Sequence, residues 1–250
     1  MTVQTRTVGY EHEGAQLEAF IAWDDAARQP RPAVMIAHAF SGRGPLECDK
    51  ATALAKLGYV GIALDNYGRG VLGKNPQESS VLMAPFLKDR DLLLGRLVAG
   101  LEMTRRLPEV DAGQVAAMGF CFGGLCALDL ARSGADLRGV ISFHGLFTPP
   151  ATAQQQRIRA KVLVLHGWDD PMATPDKVLE LAEELTAAGA DWQIHAYGNT
   201  MHAFTNPGAN DAERGTVYQP EADRRSWQSL LAFLAEVFAG AATQPGGKSQ

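Results

Sequence analysis

Val115-Ala116-Ala117-Met118-Gly119-Phe120-Cys121-Phe122-Gly123-Gly124 runs from an apolar strand pattern into a helix pattern carried by Leu125, Leu128, Leu130 and Ala131. An uninterrupted apolar run of this length is what a parallel strand covered on both faces requires. Gly119 to Gly123 spell G-x-C-x-G, the strand-turn-helix pattern that exposes a nucleophile, with cysteine where serine commonly stands. The glycines are there for steric reasons, since side chains two residues either side of so sharp a turn would collide with the neighbouring strand and helix. Cys121 would then stand at a helix start, where backbone N–H groups and the helix dipole favour a thiolate. The competing reading is an inert cysteine ahead of glycines that serve only close packing.

Outward from this stretch the same alternation recurs. Strand-like runs occupy 33–38, 59–65, 139–144 and 161–166, with a further strand at 193–196. Between them Leu94, Leu97, Val98 and Leu101 keep the spacing of one buried helix face. Leu179, Leu181, Ala182 and Leu185 lie in a second helix, and 224–238 forms a third with Trp227, Leu230, Leu231, Phe233 and Leu234. Strands alternating with helices throughout predict an α/β fold with a mostly parallel central sheet and helices on both faces. No Pro/Gly-rich linker divides the pattern, so residues 1–240 are expected to form one domain. The small, polar segment 241–250 is expected to be a disordered tail.

With 250 residues, 46% of them hydrophobic and 20% charged, the chain has ordinary globular composition. Its net charge of −5 gives no broad footprint for nucleic acid. No apolar run reaches membrane-spanning length, and the first residues lack a basic segment followed by an apolar one. Cys48, Cys121 and Cys126 are an odd count without metal-ligand spacing. A cytoplasmic protein without metal, membrane or nucleic-acid partners is expected, as monomer or homodimer.

In parallel sheets chemistry gathers at the carboxyl ends of the strands. A thiol nucleophile needs a base, and the base an orienting carboxylate. Leu163-Val164-Leu165-His166-Gly167-Trp168-Asp169-Asp170-Pro171 puts two acids just past a buried strand, and Tyr197-Gly198-Asn199-Thr200-Met201-His202 puts a histidine in the loop after the next. Asp170, which precedes Pro171, is preferred to Asp169. The order nucleophile, acid, histidine is that of the α/β-hydrolases. His12 and His195 read as structural, and His166 as shaping its turn. His38 and His144, which end their strands, are as well explained by packing as by pocket contact. Cys126 reads as a core residue and Cys48 as an uninvolved thiol.

These motifs resemble the dienelactone hydrolase family of α/β-hydrolases. The resemblance rests on Gly119-Phe120-Cys121-Phe122-Gly123-Gly124, on His166-Gly167 with Asp170, on His202-Ala203-Phe204, and on Gly58-Tyr59 with Leu64-Asp65-Asn66-Tyr67-Gly68-Arg69. It implies Cys121 as nucleophile, His202 as base and then acid, and Asp170 as its orienter. It implies an oxyanion hole from the backbone N–H groups of Phe40 and Phe122, and no cofactor. Ala39 stands where the archetype has a glutamate touching the thiol. Asn206 stands where it has a carboxylate-gripping arginine, and a second such arginine falls near Ser79 or Ser80. A divergent member acting on a different substrate is therefore expected.

The expected activity is cleavage of a small ester or lactone through a Cys-His-Asp triad and an acyl-thiol intermediate. Candidate substrate-contacting residues are His38, Ala39, Tyr67, His144, Trp168 and Phe204. The segment from Asn66 to Ser80 either overhangs the pocket or is an ordinary surface loop. Alternatives are thioester hydrolysis or acyl transfer at the same site, or a non-catalytic thiol sensor of ligand or redox state.

Overall fold

The computed structural model describes residues 2–26, 29–151 and 157–239. Among these residues ten strands and six helices follow in chain order: β1 (Val3–His12), β2 (Ala15–Asp24), β3 (Arg31–Ala37), α1 (Pro45–Lys56), β4 (Val60–Ala63), α2 (Pro76–Lys88), α3 (Arg90–Arg105), β5 (Val110–Phe120), α4 (Phe122–Arg132), β6 (Gly139–Phe143), β7 (Lys161–Gly167), α5 (Pro175–Ala187), β8 (Trp192–Tyr197), β9 (Asn210–Asp211), β10 (Thr216–Val217) and α6 (Pro220–Ala239). Eight strands join in one sheet of order β1-β2-β4-β3-β5-β6-β7-β8, and β9 with β10 makes a separate small hairpin. From β4 onward across the sheet every pairing is parallel; β1 with β2, and β2 with β4, are antiparallel.

The alternation of side chains along the central strands sorts them onto two faces. In β3, Ala33, Met35 and Ala37 pack with Leu93, Leu97 and Leu101 of α3 and Leu125 and Leu128 of α4. Val34 and Ile36 face the other way, toward Ala51 and Leu54 of α1 and Leu230 and Phe233 of α6. Both faces of the strands are dry, which is why they read as continuous apolar runs. The α/β class expected from the sequence is what the chain forms.

Several elements differ from the sequence reading. Val98, expected on the buried face of α3, is 37% exposed, and α5 buries Val178, Leu181 and Leu185 while Leu179 is 64% exposed. The segment from Asn66 to Ser80 is a loop only to Asn75. There the Asn75 side chain accepts the Glu78 N–H at 2.9 Å and starts α2, with Pro76 in its first turn. The 241–250 segment lies outside the described residues.

The sheet order locates the site. After β3 the chain moves to one side to make β4, then crosses back to place β5 on the other side of β3. Loops leaving the carboxyl ends of β3 and β5 therefore diverge, and a crevice opens between them. Ala37 of β3 and Gly119 of β5 are register partners at its floor.

Candidate active site

Cys121 sits between β5 and α4 with φ 56° and ψ −116°. A non-glycine residue there carries about 1–3 kcal/mol of backbone strain. The contacts that impose it are visible at the two flanking glycines. A Cβ on Gly119 would lie 2.1 Å from the Gly123 carbonyl oxygen, and one on Gly123 would lie 2.1 Å from that of Ala37. The turn is thus wedged between its own helix and β3. The Cys121 N–H still donates to Phe143 O at 3.0 Å, and Cys121 O accepts from Gly124 and Leu125, so the residue belongs to sheet and helix at once. Its side chain is half-buried and faces a cavity of about 1010 Å³.

His202 lines the same cavity, and Asp170 lies buried behind it. His202 Nδ1 donates to Asp170 Oδ2 at 2.7 Å, with both side chains buried. Asp170 Oδ1 accepts the Met172 N–H at 2.8 Å, which fixes the carboxylate plane. Asp169, by contrast, is exposed, and its N–H donates to Thr200 O at 2.9 Å, tying the acid loop to the histidine loop. The other ring nitrogen of His202, Nε2, is buried and meets no nitrogen or oxygen partner among the described residues. Burial alone would lower the pKa of this imidazole. The charge of the neighbouring Cys121 sulfur and the hydrogen bonds with Asp170 and Cys121 outweigh it, and the value is pushed up to about 10.

The loop after β3 is held from four directions. Ala39 O accepts from His38 Nδ1 at 2.6 Å and from the Gly42 N–H at 3.2 Å. Glu47, 2% exposed in the first turn of α1, accepts the N–H of Ala39 at 3.1 Å and that of Gly44 at 2.9 Å. Tyr67 donates its hydroxyl to Phe40 O at 2.9 Å. Among the described residues the Phe40 N–H has no acceptor. Phe122, first residue of α4, likewise has a backbone N–H that no carbonyl of its own helix can reach.

Of the six residues expected against substrate, Ala39 and His144 line the cavity, and His38, Tyr67, Trp168 and Phe204 do not. His38 is fully buried, and its Nε2 accepts the Asn66 N–H at 3.1 Å. Burial lowers its pKa, so it is a neutral brace for the loop. Tyr67 is spent on the same loop and stacks against Phe86 and Phe122. Trp168 turns outward at 43% exposure, and Phe204 is buried edge-on to His144. His144 holds φ 36°, meets Thr205 Oγ1 through Nε2 at 2.8 Å, and has its ring edge-on to His202 at 5.0 Å. Burial and then the charge of His202 push its pKa well below the ordinary value.

Sequence reasoning missed Glu47 and the β9–β10 hairpin. The signal for Glu47 was present: Gly44-Pro45-Leu46-Glu47 is a helix start with a glutamate at its third position, able to reach back to the cap N–H. The hairpin had none, since its strands are two residues each. Yet it grips His202, whose N–H donates to Gly215 O at 2.9 Å and whose carbonyl accepts the Val217 N–H at 3.0 Å.

A parallel sheet with a strained thiol after a central strand, and a histidine–aspartate pair in the later loops, defines the α/β-hydrolase class. Residues 17–238 match the dienelactone hydrolase family model, and the chain belongs to that family. It is a dienelactone hydrolase-like hydrolase. It is 40% identical over 147 residues to an uncharacterised protein of Caenorhabditis elegans, covering 58% of this chain and 93% of the other. It is 26% identical, over 91% of this chain and 96% of the other, to an Aquifex aeolicus protein provisionally named carboxymethylenebutenolidase. Among solved structures, a dienelactone hydrolase-like promiscuous phosphotriesterase from metagenomic libraries superposes with TM-score 0.90 at 32% identity, covering 94% of this chain and 98% of that one. Among the described residues no helix is long and apolar enough to cross a membrane.

Proposed function

We propose that the protein hydrolyses small carboxylic esters or lactones through Cys121, His202 and Asp170. The observation that carries this reading is the pairing of a strained, cavity-facing Cys121 with a buried His202 whose far nitrogen is fixed on Asp170 at 2.7 Å. With Nδ1 tied to the carboxylate, Nε2 is the nitrogen left to exchange a proton with the sulfur or with substrate. A His202 pKa pushed up to about 10 supports a ring that carries a proton at neutral pH, ready to be passed on through Nε2.

In this mechanism the thiolate attacks the ester carbonyl, and the C–S bond forms as the carbonyl electron pair moves onto oxygen. The N–H groups of Phe40 and Phe122 stabilise that oxyanion; a single such donor is worth about 10²–10³ in rate. Collapse expels the alcohol, which takes the proton from His202 Nε2. The now neutral imidazole takes a proton from water, the hydroxide adds to the acyl-thiol carbonyl, and the acid leaves as the thiolate is restored. Asp170 keeps the ring in one tautomer throughout.

The experiment is turnover of 4-nitrophenyl acetate and butyrate and of γ-butyrolactone by the wild type, Cys121→Ala and His202→Ala, with rapid acid quench and mass analysis of intact protein. Expected are a wild-type adduct of one acyl mass on the Cys121 peptide, no adduct or turnover with Cys121→Ala, and a folded, inactive His202→Ala. Undiminished hydrolysis by Cys121→Ala would overturn the assignment.

A further inference from the structure

Three charged side chains other than histidine line the cavity among the described residues: Glu47, Asp211 and Arg214. Glu47 is committed to the loop after β3, with one carboxylate oxygen on Ala39 N–H and the other on Gly44 N–H. Arg214 is therefore the cation available to a bound molecule, and it does not stand alone. Its Nε lies 3.5 Å from Asp211 Oδ2, while Asp211 Oδ1 accepts the Arg214 backbone N–H at 3.0 Å. The two side chains are 57% and 45% exposed, at the rim of the cavity rather than its floor.

The pair is built into the hairpin that holds His202. Thr216, one strand across from Asp211, bridges to His202, and its hydroxyl donates to the Asp211 carbonyl. Gly215 has φ 69°, and a Cβ there would lie 2.2 Å from Pro171 Cγ in the acid loop. The rim charge pair is thus anchored to both loops that carry the histidine and the aspartate. With Glu47 and Asp211 against one Arg214, acidic side chains outnumber basic ones in the wall.

We propose that Asp211 sets the charge preference of this cavity by neutralising Arg214. The site accepts uncharged acyl chains and disfavours anionic ones, and removing Asp211 turns Arg214 into a receptor for a substrate carboxylate. The identity of the substrate as an ester rests on the function proposed above; the charge selection does not. Arg214 freed from its partner can make charge-assisted hydrogen bonds to a carboxylate, but at a half-exposed rim they are screened by solvent. The shift in preference is accordingly expected at roughly 3- to 10-fold, fading as salt is raised toward 1 M.

The test uses two matched probe pairs on the wild type, Asp211→Asn, Arg214→Gln and the double variant. The first pair is the 4-nitrophenyl ester of pentanoic acid and the mono-4-nitrophenyl ester of glutaric acid, compared by kcat/KM. The second is N-ethylmaleimide and 3-maleimidopropionate, compared by the rate of Cys121 modification read on its peptide, which needs no turnover. Asp211→Asn should move both ratios toward the anionic probe by the stated factor. Arg214→Gln should move them the other way, and the double variant should lose the gain. If neither ester is turned over while the maleimide ratio still shifts, the charge selection stands and the ester reading fails. If Asp211→Asn leaves the maleimide ratio unmoved, or the double variant keeps the gain, the proposal is overturned.

Discussion

The Cys121 turn and the histidine loop meet at one cavity but are placed by opposite means. Cys121 is held by its own neighbours in sequence: glycines at positions 119 and 123 that leave no room for a Cβ, and a helix that begins at the next residue. His202 is held by strangers. Its backbone is gripped by Gly215 and Val217 of a hairpin further along the chain, its ring by Asp170, and its loop by the Asp169 N–H on Thr200. The position of Cys121 is a local property of backbone geometry, whereas that of His202 is a tertiary property of three loops. Damage at the first should appear in stability and activity together; damage at the second should appear in activity first.

The largest effect expected tests the second half of that contrast. Asp170→Asn keeps the shape but offers Nδ1 no anionic acceptor, and kcat should fall by about 10⁴ with little change in melting temperature. An equal loss of stability would mean Asp170 is chiefly a folding residue. Gly123→Ala tests the first half. The new Cβ would meet the Ala37 carbonyl at 2.1 Å, so β3 or α4 must shift, at a cost of about 3 kcal/mol or more in denaturant titrations. A stable, active Gly123→Ala protein would show that the turn is looser than its contacts indicate.

Glu47→Gln sharpens the comparison by touching neither residue. The amide can keep one of the two N–H bonds to the loop after β3 but not both. Hydrogen bonds to a charged acceptor contribute about 1.5–3 kcal/mol each, so kcat is expected to fall roughly 10- to 100-fold with KM much less affected. An unchanged kcat would detach this loop from the chemistry. The mildest effect is on acid stability. Burial lowers the pKa values of His38, His144 and His166 from the ordinary 6.5, so below that pH the unfolded chain binds protons that the folded one resists. Folding stability should therefore decline as pH falls from 6.5 toward the lowered folded values. His144→Asn should flatten that decline; an identical slope would mean His144 does not contribute.

The same contrast explains what was legible in the sequence. The sheet was readable because strands buried on both faces must be apolar throughout, and the Cys121 turn because its constraints fall within five residues. The order of the loops singled out Cys121, Asp170 and His202, and the fold places Asp170 against His202. Residues that hold a loop from across the sheet could not. His38, Tyr67 and Phe204 sit beside the motifs and read as substrate contacts, but each is spent on packing or on bracing a backbone carbonyl. Glu47 carried a helix-start signal that points only to its own cap N–H; its second bond, to the Ala39 N–H, exists only once the loop is folded. Asp211 and Arg214 lie where no hydrophobic period exists to announce a wall.

The position of β3 also bears on how the chain is made. β3 pairs with β4 on one side, but its other edge waits for β5, which emerges only after two further helices have been synthesised. At about 5–20 residues per second that wait lasts seconds. During it a strand of Ala33, Val34, Met35 and Ile36, apolar on both faces, has an unpaired edge. The edge that borders the crevice in the finished protein is, on the ribosome, a place where a nascent chain is exposed to pairing with the wrong partner.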